Sequence, residues 1–559
     1  MKPTDIEINE LASIMESRLS TRFLNILLSQ SESFKNVISI VGENLTNIQK
    51  VRLLIHQKES RLFMGSADRT IELRKKLLSS LEQDKIDELF EKYCTTSGNS
   101  RTHKLNQLSS KRWHSGKSWA IRFVNELNIP MVFAGIRGQG KLPNIEDIDP
   151  YVVPPKLTDF QKELKDNLLL TLNKDGDSTR CIVSLPTGGG KTRTAVEAFI
   201  EWLQPRFSQG KYLIWIAQSE ELCEQAIECI RQMWASKQFY ESLRIYRYFG
   251  GSEIDESELI GGVVVSSINQ LYSRLSGDVS LVNIVKKTGA IIIDEAHRAA
   301  TQMYTDFFRF CNQHHSPTLF PICGLTATPG RSFDDTPRLV SLFESKLFTP
   351  TLGKEFEDNP LRFFRQEGYL ASPIPKQINT HVDIPTPASL FPETKEQFQY
   401  RMNTVVIGIL AKDDKRNKLI IKTLLNIPKG KLCIVYACTV EHANMLSTIM
   451  NYKGRSSTSI SSETPRHYRR KLLEQFKKGE IEFVFNYGVL TTGFDAPQTE
   501  YIVICRPTFS SVLYEQIVGR GLRGPRFGGT ETCQIIDFSD NYSRFGDQQA
   551  YNRFSEFWN

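Results

Sequence analysis

The sequence predicts an α/β protein, with two parallel-sheet domains in tandem behind a mainly helical accessory domain. Three observations point there. The length, 559 residues, exceeds what one ordinary core accommodates, so two or three domains are expected. Apolar residues in the first hundred or so positions recur near a 3.6-residue period. Short apolar runs bounded by turn residues then recur in two series, one from Leu157 and one after about residue 385.

Composition narrows the class. Hydrophobic content of 40% and charged content of 24% describe a globular chain. The net charge of +7 is mildly basic and permits a polyanionic partner. No run of 18 apolar residues occurs, and MKPTDIEINELASIMESRL has no basic region feeding an apolar one. Neither a membrane span nor a signal peptide is expected. The ten cysteines are scattered, several inside apolar runs such as CIVSL and KLCIVYA. Cys223 with Cys229 and Cys433 with Cys438 lack the spacing of a zinc site, and the expectation is buried thiols in a reducing, cytoplasmic compartment.

The accessory domain is expected over residues 1–150. Ile6, Ile8, Leu11, Ile14, Met15 and Leu19 set its first helical stripe, and a later one runs from Ile71 to Leu89. Residues 101–141 hold eight basic side chains against a single acidic one, Glu126, with Trp113, His114 and Trp119 interleaved. Two readings stand: a nucleic-acid surface with Trp113 or Trp119 stacking on a base, or tryptophans packed inward beneath a charged face. Four prolines within residues 143–155 end the domain. The first α/β domain, 151–345, carries CIVSL, YLIWIA, VVVSS, AIIID and FPICGL as strands. A linker is expected over 346–390, containing PLRFFRQEGYLASPIP. The second α/β domain, 391–559, carries LCIVYA, FVFN, YIVIC and CQIIDF.

Chemistry-bearing residues sit at the ends of these strands. Ser184-Leu185-Pro186-Thr187-Gly188-Gly189-Gly190-Lys191-Thr192 follows CIVSL and precedes a helical TRTAVEAFIEWL. Its first position is serine where a strict phosphate loop has glycine, but the strand, glycines, lysine, threonine and helix coincide. Glycines let backbone N–H groups converge on phosphates at a helix N-terminus. Lys191 then faces the transferring phosphoryl group, and Thr192 offers a hydroxyl to Mg²⁺. Asp294-Glu295-Ala296-His297 ends the strand AIIID, at the ligand edge of an open α/β sheet. Asp294 is the candidate Mg²⁺ holder and Glu295 the candidate general base. In Gln516-Ile517-Val518-Gly519-Arg520-Gly521-Leu522-Arg523, Gly519 frees a turn, and Arg520 and Arg523 project from one local surface.

On these motifs, over roughly residues 155–545, the sequence resembles superfamily 2 helicases and translocases of the DEAD/DEAH type. It is similar to the group containing restriction-enzyme motor subunits, XPB/RadD-like repair helicases and bacterial defence-associated helicases. The resemblance implies two RecA-like domains, with ATP and Mg²⁺ as cofactors. Leu325-Thr326-Ala327-Thr328-Pro329 looks like motif III, and Phe160-Gln161 looks like an adenine-reading glutamine motif in which Thr158 replaces the usual arginine. Ile216-Ala217-Gln218-Ser219 and Val265-Ser266-Ser267-Ile268-Asn269-Gln270 resemble motifs Ia and Ib. Tyr436-Ala437-Cys438-Thr439 resembles motif IV, Val489-Leu490-Thr491-Thr492-Gly493-Phe494-Asp495-Ala496-Pro497 motif V, and the segment from Gln516 to Arg523 motif VI.

Carried over residue by residue, the resemblance assigns nucleotide binding to Gln161, Thr187, Gly188, Gly189, Gly190, Lys191, Thr192, Gly493, Asp495 and Gln516. Catalysis falls to Lys191, Asp294, Glu295, Arg520 and Arg523. Nucleic-acid contact and coupling fall to Ser219, Ser267, His297, Thr326, Thr328, Thr439, Thr491 and Thr492. The expected activity is ATP-driven translocation on DNA in restriction, anti-phage defence or repair. An RNA helicase and a nucleotide-gated DNA-binding scaffold remain alternatives. No nuclease constellation stands out, so a nuclease or another defence or repair subunit is the expected protein partner of any cutting activity.

Overall fold

A computed structural model describes residues 3–29, 32–42, 44–94, 98, 100–135, 145–148, 156–237, 241–314, 320–327, 336–380, 407–462, 464, 466–490, 496–506 and 511–538. The strands among them are β1 (Ile145–Ile148), β2 (Arg180–Ser184), β3 (Tyr212–Ala217), β4 (Leu243–Tyr248), β5 (Gly262–Ser267), β6 (Thr288–Asp294), β7 (Ile322–Thr326), β8 (Leu347–Phe348), β9 (Ser372–Gln377), β10 (Leu432–Tyr436), β11 (Ser457–Ile460), β12 (Phe483–Asn486), β13 (Thr499–Ile504) and β14 (Thr532–Asp537). They form one sheet of eight strands, ordered β1-β4-β5-β3-β6-β7-β2-β8, and one of six, ordered β11-β12-β10-β13-β14-β9. Parallel pairing with intervening helices in both sheets is the RecA-like arrangement expected from the sequence. The chain divides into two compact units, one of residues 1–140, 378–488 and 503–507 and the other of 141–377, 489–502 and 508–559.

In the first unit the N-terminal segment is helical throughout its longer elements: α1 (Asp5–Arg18), α2 (Thr21–Ser29), α3 (Glu32–Val41), α4 (Asn47–Lys58), α5 (Asp68–Leu78), α6 (Gln83–Tyr93), α7 (Arg101–Ser110) and α8 (Ser118–Glu126). Local chemistry explains the starts. Thr4 and Glu7 form a capping box on α1, and Thr46 and Gln49 do so on α4, each satisfying N–H groups the helix leaves open. Between α4 and α8 lies an aromatic core. The Phe123 ring centroid is 5.3 Å from both Phe63 and Trp113 and 6.0 Å from Trp119. Trp113 and Trp119 are 7% and 4% exposed, which decides between their two readings: they pack inward.

Several of the basic side chains around them are engaged locally. Lys104 pairs with Asp87 at 2.9 Å, and Arg122 pairs with Glu88 at 2.6 Å and Glu126 at 2.7 Å. Arg101 donates to the carbonyls of Ser79 and Leu81, closing the turn after α5. Arg137 and Lys141 lie outside the described residues. Helices α3 and α4 pack on the helix Val440–Tyr452, and Tyr468 Oη meets Glu59 Oε2 at 3.1 Å. The helical segment thus shares a compact unit with β10, β11 and β12.

The second unit contains the eight-stranded sheet. Strands expected from the sequence fall within two residues of their observed bounds, because wholly buried parallel strands are continuous apolar runs, as all six residues of β3 are. Strands β1, β4, β8, β9 and β11 carry no such signal. In β4, Arg244 and Arg247 interrupt the apolar run, and the buried Arg247 is paired with Glu224 at 3.2 Å. Strand β1 pairs antiparallel with β4, inside the proline-rich stretch expected to be a domain exit. Strand β9 lies in the segment expected to be a linker and pairs in parallel with β14 at the edge of the second sheet. Its prolines explain both facts. The Ser372 N–H donates to the Glu531 carbonyl at 2.9 Å, so by alternation Pro373 and Pro375 fall on the open side, where no N–H is needed.

Strands β6, β7 and β2 are neighbours, and their registers set Asp294 beside Leu325 and Ser184 beside Thr326. The carboxyl ends of three adjacent parallel strands therefore carry Asp294, Thr326 and the start of the glycine-rich loop.

Candidate nucleotide site

The loop after β2 is held by its own backbone. Leu185 N–H donates to the Thr326 carbonyl at 3.2 Å, and Gly189 N–H to the Pro186 carbonyl at 2.9 Å. Gly190, at φ +86°, caps the helix Lys191–Leu203, whose first residues are Lys191 and Thr192. Gly188 adopts φ +97°, and a Cβ there would lie 2.8 Å from Leu370 Cδ2. Both backbone conformation and close approach require glycine at 188. Lys191 Nζ donates to the Leu185 carbonyl at 3.0 Å and so lies folded over the loop.

Gln161 stands behind this loop. It belongs to the helix Asp159–Asn173, is 2% exposed, and accepts from the Thr158 N–H at 3.1 Å. Its Nε2 donates to the Gly189 carbonyl at 3.2 Å. The motif assigns Gln161 to the nucleotide base; here its amide braces the glycine-rich loop.

Opposite the lysine, β6 ends in Asp294, which is buried, and Glu295, which takes φ +54° and ψ +49°. This left-handed backbone is uncommon for a residue with a side chain and costs on the order of 1–3 kcal/mol. Asp294 Oδ1 accepts from the Glu295 N–H at 3.0 Å. Burial, with the Glu295 charge beside it, pushes the Asp294 carboxyl above the usual range; Lys191, the Glu295 N–H and Arg520 oppose that shift. Burial pulls the Lys191 ammonium down, while Glu295 and Asp294 hold it up. Two carboxylates and one ammonium thus share a confined space. His297 Nδ1 lies 3.2 Å from Thr326 Oγ1 and 3.4 Å from Glu295 Oε2. One buried ring nitrogen thereby joins the end of β6 to the end of β7.

The helix Ser511–Val518 and the turn after it bring in the arginines. Gln516 is buried. The Arg523 guanidinium donates to the Gly188 carbonyl, placing it on the glycine-rich loop. Arg520 acts electrostatically on both Asp294 and Lys191. Lys191, Asp294, Glu295, Arg520 and Arg523 are therefore brought together within one compact unit. Thr187 and Thr192 belong to the same loop and helix start.

The polar residues assigned to nucleic-acid contact have local duties. Ser219, Ser267 and Thr439 are helix N-caps, accepting from the N–H groups of Leu222 at 3.3 Å, Gln270 at 3.3 Å and His442 at 3.1 Å. Thr439 belongs to the first unit. Thr328, Thr491, Thr492, Gly493 and Asp495 lie outside the described residues. Leu370, seated over Gly188, carries no sequence signal; an apolar residue in an expected linker does not announce a role.

Two family models match the chain: Type III restriction enzyme, res subunit, over residues 155–331, and Helicase conserved C-terminal domain over residues 415–524. The first spans the glycine-rich loop and Asp294–Glu295, the second Arg520 and Arg523. The chain belongs to helicase superfamily 2. The chain is 27% identical to the putative ATP-dependent helicase IRC3 of Saccharomyces cerevisiae over 391 residues, 69% of its own length and 51% of that protein's. It is 23% identical to a 51.5 kDa protein of a Lactococcus phage over 281 residues, covering 50% of its length and 55% of the phage protein's. The chain spans little more than half the length of these curated relatives. Among solved structures, a fragment described as a putative HsdR subunit of a type I restriction enzyme from Vibrio vulnificus aligns with TM-score 0.48 at 18% identity, covering 72% of this chain and 68% of that one. Superfamily membership implies ATP as the nucleotide.

Proposed function

We propose that this helicase hydrolyses ATP to ADP and phosphate and uses the cycle to move along DNA, in restriction, anti-phage defence or repair. The observation that carries the reading is the convergence of Lys191, Asp294 and Glu295 with Arg523 on the Gly188 carbonyl. In this reading the loop N–H groups and Lys191 cradle the β- and γ-phosphates. Glu295, on its strained backbone, orients the attacking water and takes its proton. Arg520 and Arg523 stabilise charge spreading onto the γ-phosphoryl oxygens. Thr192 and Asp294 are the residues that would hold Mg²⁺, whose charge neutralises phosphate oxygens when bound. A buried carboxylate beside a second acid and next to a hydroxyl supplies oxygen donors of the kind a hard cation takes, so the residues present fit Mg²⁺. Loss of the γ-phosphate withdraws what the arginines grip, and that change is available to drive stepping.

DNA is preferred because motif II is Asp-Glu-Ala-His and because the matching family model is that of a restriction subunit. Backbone contacts of the kind motifs Ia and Ib make are sequence-independent. ATP turnover measured with single-stranded, double-stranded and forked DNA and with RNA of the same sequence tests the reading. Stimulation by DNA with triplex displacement supports it. Stimulation by RNA alone selects an RNA helicase, and DNA stimulation without displacement selects a nucleotide-gated scaffold.

His297→Ala removes the bridge between Glu295 and Thr326. We expect the nucleic-acid-stimulated rate to fall about tenfold, more than the basal rate falls, as loss of a coupling contact predicts. Equal losses in the two rates would count against a coupling role.

A further inference from the structure

The turn Gly368–Ala371 is tied along its length to the segment that carries Arg523. The Ala371 N–H donates to the Leu522 carbonyl at 3.2 Å, the Gly524 N–H to the Tyr369 carbonyl at 3.0 Å, and the Arg526 N–H to the Gly368 carbonyl at 3.1 Å. Leu370 and Arg523 form an antiparallel bridge. A Cβ at Gly524 would lie 2.6 Å from the Tyr369 carbonyl carbon, so the two strands of this clasp touch backbone to backbone. Side chains lock it further. Arg526 donates to Tyr369 Oη at 2.8 Å, lies 4.8 Å from the centroid of the same ring, and pairs with Glu367 at 3.3 Å. The Tyr369 ring is 8% exposed, with Phe160, Phe364 and Phe527 at 5.1, 5.6 and 5.5 Å. From this clasp, Leu370 and Arg523 both descend on Gly188.

We propose that Tyr369 and Arg526 are positioning residues for ATP hydrolysis, acting through Arg523 by setting where its guanidinium meets the phosphate loop. The proposal rests on the ATPase reading above. The physical reason is that an arginine on a turn of glycines has many low-energy orientations. A transition-state contact needs one, held by groups outside the reacting site. Phe160, next to Gln161, extends the same packing to the helix that braces Gly189.

The test is a double-mutant cycle on the full chain, reading kcat and KM for ATP with saturating nucleic acid. The Arg526 side chain is 54% exposed, so Arg526→Ala is expected to leave the fold intact, which thermal melting checks. The variant is expected to lower kcat about tenfold with KM changed less than about twofold. Tyr369→Phe, which keeps the ring and loses the acceptor for Arg526, should lower kcat about threefold. In an Arg523→Ala background, Arg526→Ala should cost nothing further. A full additional loss in that background, an unchanged kcat in Arg526→Ala, or an effect confined to KM overturns the positioning role. A wild-type chain that hydrolyses no ATP with any nucleic acid overturns the ATPase reading itself, and that failure is visible before any variant is made.

Discussion

Lys191→Ala is expected to cut ATP turnover by about a thousandfold or more while leaving the melting temperature within a few degrees. The ammonium rests on the Leu185 carbonyl and faces Asp294 and Glu295. Alanine leaves the β- and γ-phosphates without their nearest fixed positive charge in a confined, low-dielectric place, where such a charge counts most. The fold is spared for a local reason. Burial already lowers the proton affinity of Lys191, so a desolvation cost disappears with it, and Asp294, already pushed toward protonation, takes up a proton more readily. Steady-state turnover together with thermal melting checks both halves. Robust hydrolysis by the variant would mean that the reaction occurs elsewhere in the chain.

Arg520→Ala is expected to reduce single-turnover hydrolysis by about a thousandfold and nucleotide affinity by less than about tenfold. The asymmetry has a physical source. Arg520 reaches the site through its field on Asp294 and Lys191, whereas the loop backbone supplies the ground-state grip on phosphate. An interaction made mainly in the transition state lowers kcat and leaves binding nearly intact. Fluorescent-nucleotide titration alongside quench-flow hydrolysis separates the two quantities. Equal losses in both would identify Arg520 as a binding residue.

Most of this site is legible in the chain's own residues. A phosphate loop announces itself because each residue in it answers a local need: positive φ at Gly188 and Gly190, a helix start at Lys191, and a hydroxyl next to it. Asp294 and Glu295 stand out because two adjacent carboxylates are costly at the end of an all-apolar strand unless that end faces a ligand. The tryptophans of the basic stretch are ambiguous for the opposite reason. An aromatic flanked by lysines looks the same whether it stacks on a base or on Phe123, and only the position of Phe123, Phe63 and Phe133 separates the two. The serines and threonine at 219, 267 and 439 are conspicuous as polar residues at strand ends. Their capping bonds become visible only with the helices in place.

The sequence by itself determined that this chain is α/β, that a glycine-rich loop and an acidic pair stand at strand ends, and that paired arginines follow in the second series of strands. Those features depend on near neighbours in the chain, through φ angles, helix starts and runs of buried side chains. Only the tertiary structure decided that Gln161 braces Gly189, that His297 bridges Glu295 and Thr326, and that a turn in the expected linker holds Arg523 over Gly188. The bracing of Gly189 and the seating of Arg523 join positions 28 and 335 residues apart, and no local preference encodes them. They exist because packing sets the start of the helix Asp159–Asn173 and the turn before β14 against the loop at the carboxyl end of β2, where side chains with no sequence relation become neighbours.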